Sequence, residues 1–160
     1  MNATHLHLLL NHAPVLGTVF GLALLAFALW RKSEELKKTA LGVFVIFALL
    51  AVPVYLTGEP AEHVAKQLPG ASKPAIEQHE DAAGVAFTGV VVVGGAALTG
   101  LLLFRRGKIV PAWFCSGMLA ASLIVSGLMA WTANLGGQIR HPEIRSNNNS
   151  PVASGVQHHD

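Results

Sequence analysis

LLLNHAPVLGTVFGLALLAFALW, residues 8–30, is long and apolar, yet it carries Asn11, His12 and Pro14 near its start. An α-helix needs about 20 apolar residues to cross the hydrocarbon core of a bilayer, so the stretch reads as a membrane span with a polar mouth. Three more stretches of this kind follow, at about 39–57, 82–104 and 109–135. No alternation with period two runs through them, which gives a β-barrel no support. With 52% hydrophobic and 12% charged residues and a mean hydropathy of +0.49, the composition is that of a membrane protein. Residues 1–30 contain no Lys or Arg, so the opening stretch lacks the basic n-region of a secretory signal and reads as a retained helix.

The charges orient the spans. The links RKSEELKK (31–38) and RRGK (105–108) hold seven of the eleven basic residues, and the positive-inside rule puts both in the cytoplasm. Four spans then leave both termini and the loop from Gly58 to Asp81 outside the cytoplasmic membrane. All eight histidines fall on that outer side, as do Glu59, Glu62, Glu77, Glu80, Asp81, Glu143 and Asp160. Trp30 and Trp113 fall at the inner interface, Tyr55 and Trp131 near the outer one.

The short inner links predict antiparallel hairpins, and hence an all-α, integral-membrane, up-down four-helix bundle occupying residues 1–145 as one domain. A short external helix over PAEHVAKQL (60–68) should end at Pro69–Gly70; the third helix should restart near Ser72, with Pro74 in its first turn. Pro53 should kink the second helix. Residues 146–160 read as a disordered polar tail. Gly17 and Gly21, and the glycines between 84 and 100, suit close helix packing or, alternatively, clearance for a flat cofactor.

The chemistry points to the histidines. His5 and His12 are seven residues apart and share a helix face, whereas His7 diverges from His12 by about 140°. His12 lies deepest, where a polar side chain should turn to the bundle interior. Neutral imidazole ligates haem iron and other transition metals, so a haem b between His12 and His79 is the leading expectation, with His5 or His63 as further ligands. The alternative is a non-haem transition metal ion on His12, His79, His63, Glu59, Glu62 and Glu80. Neither reading brings an HExxH or EF-hand spacing.

HLLLNHAPV (7–15), LTGEPAE (56–62) and IEQHEDAA (76–83) together resemble the small bacterial four-helix membrane proteins catalogued as domain of unknown function 2231. The resemblance covers about residues 5–140. It implies a role for His7, His12, Glu59 and His79, and by association with Rieske or cytochrome-type modules it implies membrane redox chemistry.

The expected function is therefore a b-type electron-transfer subunit working between the bilayer, a quinol or an external redox protein, as a homo-oligomer or part of a larger respiratory complex. A metal-binding or transport-accessory protein and a structural or assembly subunit are the alternatives. No nucleophile–base pair or phosphate loop suggests a stand-alone enzyme, and nothing suggests nucleic-acid binding.

Overall fold

A computed structural model describes residues 3–67 and 72–140 of the chain. The Pro69–Gly70 turn, the 146–160 tail, His141, Glu143, His158, His159 and Asp160 lie outside the described residues. These contain six helices and no strand: α1 (Ala3–Leu10), α2 (His12–Arg31), α3 (Glu34–Leu56), α4 (Gly58–Ala65), α5 (Lys73–Leu103) and α6 (Ala112–Arg140). Four segments are long and apolar enough to cross a membrane: Thr4–Arg31, Glu34–Leu56, Lys73–Leu103 and Ala112–Ile139.

Local chemistry explains the boundaries. Pro14 has no N–H for the Leu10 carbonyl, so the helical ladder breaks between α1 and α2 although Asn11 itself keeps helical angles (φ −58°, ψ −28°). Lys32, left-handed at φ 52°, ends α2, and the Ser33 hydroxyl caps α3 by accepting from Leu36 N–H at 3.3 Å. Ser72 holds the N-cap position of α5 without a side-chain bond, and Pro74 sits in its first turn. Pro53 lies inside α3, where the Thr57 hydroxyl returns to the Pro53 carbonyl at 2.7 Å.

The long helices close a ring: α2 packs on α3, α3 on α5, α5 on α6 and α6 on α2. Thus α2 and α5 are diagonal, as are α3 and α6. The inward row of α1–α2 runs His7, Asn11, Pro14, Thr18, Gly21, Leu25, Ala28, and that of α6 runs Cys115, Met118, Ser122, Val125, Met129, Thr132. Alternating steps of three and four are the seven-residue repeat of coiled-coil packing. Outward, apolar side chains such as Leu16, Leu49, Val92 and Ile124 are exposed, the surface a bilayer would cover.

Glycines let the helices approach. A Cβ on Gly17 would collide with the Phe47 ring, and one on Gly21 would lie 2.7 Å from Phe44. These clearances are filled by α3, so the close-packing reading holds there and the cofactor-slot reading does not.

The two halves repeat one another. Moving 72 positions along carries His7 to His79, Gly17 to Gly89 and the buried residues Pro14, Leu25 and Ala28 to the buried Ala86, Ala97 and Gly100. Moving 78 positions from α3 carries the buried Lys37, Phe44 and Ala51 to the buried Cys115, Ser122 and Met129 on α6.

At the end bearing the basic links, one polar cluster ties the halves. Glu34 accepts from Lys37 Nζ at 2.6 Å and from the Val110 N–H at 2.7 Å, and the buried Lys37 also reaches the Val110 carbonyl at 3.4 Å.

Candidate functional site at the histidine end

His7 and His79 come from α1 and α5, on diagonal sides of the ring, and both are half-buried. His7 Nδ1 lies 3.0 Å from the Val54 carbonyl of α3, and His79 Nδ1 lies 3.0 Å from the Thr132 carbonyl of α6. A carbonyl can only accept, so each Nδ1 carries a proton, and in the neutral form of either ring the lone pair lies on Nε2. Thr57 Oγ1 stands 3.4 Å from the same His7 Nδ1. Gly136 gives the His79 ring room: a Cβ there would sit 3.1 Å from Cε1.

The other expected ligands are placed differently. His12 is exposed, and so is His5: they do share a face, as their spacing required, but that face points away from the ring. The expectation that His12 turns inward is corrected, because Asn11, Pro14 and Thr18 define the inward row and His12 stands about 100° off Asn11. The inward histidine of the first helix is His7, which is half-buried where His12 is exposed.

His63 and Glu59 are exposed on α4, while Glu80 is exposed on α5. Glu62 pairs with Lys66, whose hydrogen bond holds the Glu62 carboxyl below its ordinary range; Glu62 in turn holds the Lys66 ammonium above its own. Among the described residues no group of three His, Cys, Asp or Glu side chains comes together to hold a metal ion. Aromatic residues frame both ends: Trp30 and Trp113 are about three-quarters exposed (75% and 74%), Trp131 is exposed, and Tyr55 stacks on Phe87 at 4.3 Å.

Sequence reasoning missed the carbonyl partners Val54 and Thr132 and the Glu34–Lys37–Val110 cluster. A signal for His7 was available: the row 7, 11, 14, 18, 21 is polar or small at every step, as an inward face in lipid is. No family model, curated protein or solved structure matches the chain.

Proposed function

We propose that the protein is a membrane electron carrier that holds a b-type haem between His7 and His79, at the outer end of an up-down four-helix bundle. The observation that carries this reading is the pair of imidazoles from diagonal helices, each with its Nδ1–H on a backbone carbonyl and its Nε2 lone pair left for a ligand. Such carbonyl bonds set the tautomer and orientation of ligating histidines, and His7 and His79 would hold the haem iron through imidazole nitrogen. The clearances at Gly17 and Gly21 do not fit the macrocycle, since Phe47 and Phe44 fill them.

When bound, haem would supply a one-electron couple. The chain's own contribution is to orient both rings, through their carbonyl bonds, within apolar helices. Applied to the basic links, the positive-inside rule supports an orientation with the histidine pair toward the external face, where a quinol or an external redox protein could reach it. The resemblance to domain of unknown function 2231 proteins supports the same reading through His7 and His79.

The test is a reduced-minus-oxidised absorption spectrum of protein purified in mild detergent from haem-replete cells. A sharp b-type band is expected, lost in His7→Ala and in His79→Ala and retained in His12→Ala. A flat spectrum from well-folded protein, or a band that only His12→Ala removes, refutes the proposal. The filled glycine clearances would then favour a structural subunit.

A further inference from the structure

Four buried polar side chains, Thr18, Ser122, Ser126 and Thr132, lie on α2 and α6, two helices that pack against each other. Two buried polar atoms have no hydrogen-bond partner among the described residues: Asn11 Oδ1, where α1 meets α2, and Ser126 Oγ on α6. Ser126 is only 8% exposed. A buried hydroxyl without a partner is costly, and an ordered water is one way to satisfy it.

Helical geometry turns these groups toward one another. Gly17 meets Phe47 of α3, so the buried Thr18, about 100° further round, faces the other neighbour, α6; Asn11, seven residues earlier, shares that face within about 20°. Val125 meets Gly89 of α5, so the buried Ser126, again about 100° round, faces α2. Counted at about 1.5 Å per residue, Thr18 and Ser126 both lie about 20 Å from the basic end. Asn11 lies about 10 Å nearer the histidine end, one turn below His7. Thr18 spends its proton on the Pro14 carbonyl at 2.6 Å, and Ser122 bonds the Leu119 carbonyl at 3.0 Å, which leaves both oxygens able to accept from a water.

The repeat supplies an internal control. The positions equivalent to Asn11, Thr18, Ser122 and Ser126 in the other half are Ala83, Val90, Phe44 and Ala48, on α5 and α3. The hairpin fold therefore does not require polar groups there; one seam has them and its counterpart is apolar.

We propose that the α2–α6 seam binds a short file of water molecules between Asn11 and Ser122, giving protons access to the inner side of the His7–His79 pair. The inference goes beyond the haem reading and stands without it, because the seam is complete in the chain alone.

The experiment is water-edited NMR on labelled protein in lipid nanodiscs without added haem. Transfer from water to the side chains of Thr18, Ser122 and Ser126 should be several-fold faster than to Ala48, Val90 and Phe44. Replacing Thr18→Val and Ser126→Val together should bring Ser122 down to the slow level and slow exchange of the His7 and His79 ring protons. Equal transfer into both seams, or fast transfer that survives the double substitution, overturns the water file. Ring-proton exchange unchanged by that substitution overturns its proton role.

Discussion

His7 and His79 occupy the same place in two hairpins: each ring gives its Nδ1–H to a carbonyl on the second helix of its own hairpin, Val54 or Thr132, at 3.0 Å. Losing such a bond costs about 0.5–1.5 kcal/mol. His7→Phe and His79→Phe should each destabilise the protein by about that amount, measured by thermal unfolding in detergent. His12→Ala, on an exposed face, should stay within about 0.5 kcal/mol of the parent.

Gly17 and Gly42 should respond in opposite directions. An alanine at 17 must displace the Phe47 ring, an overpacking cost of about 1–3 kcal/mol. An alanine at 42 meets nothing within 4 Å and lies inside α3, where replacing glycine gains about 0.5–1 kcal/mol. The same unfolding measurement reads both.

Glu34→Ala removes the acceptor for both Lys37 and the Val110 N–H, leaving a buried ammonium short of its anion. A loss of about 1–3 kcal/mol is expected, accompanied by faster protease cleavage within residues 104–111. Glu34→Gln, which still accepts from Val110, should show a smaller change in both.

The Glu62–Lys66 pair sets a pH window for α4. Because the Glu62 pKa is lowered from 4.5 by the Lys66 hydrogen bond, its contribution is present above pH 4.5 and is lost as pH falls through the lowered value. Lys66, raised from 10.5, contributes fully below that pH and loses its contribution as pH rises through the raised value. Protection of the α4 amides, taken relative to the intrinsic exchange rate at each pH, should fall outside these limits and stay level between them. Lys66→Ala should abolish the acidic transition.

The four apolar segments were legible because lipid demands long uninterrupted apolar stretches, and α5 was expected to start near Ser72 because Ser and Pro mark helix entries. The direction of His12 was misread for a physical reason: depth says that a polar side chain needs a partner, not which face it occupies. The row of small and polar residues through Asn11, Thr18 and Gly21 carries that second piece of information. Val54, Thr132 and Val110 were beyond reach, because they act through backbone groups brought near by packing, 47 to 76 residues from their partners. Backbone acceptors leave no mark on side-chain identity.

Each hairpin carries one imidazole bonded to a carbonyl of its own second helix, together with glycine positions for a neighbouring side chain, and a cluster at the basic end joins one to the other. Residues 1–67 and 72–160, produced as separate chains, therefore contain the surfaces by which each recognises the other. Co-produced halves should assemble as a heterodimer. In architectural terms the molecule is a dimer written on a single chain, with one of its two seams made polar.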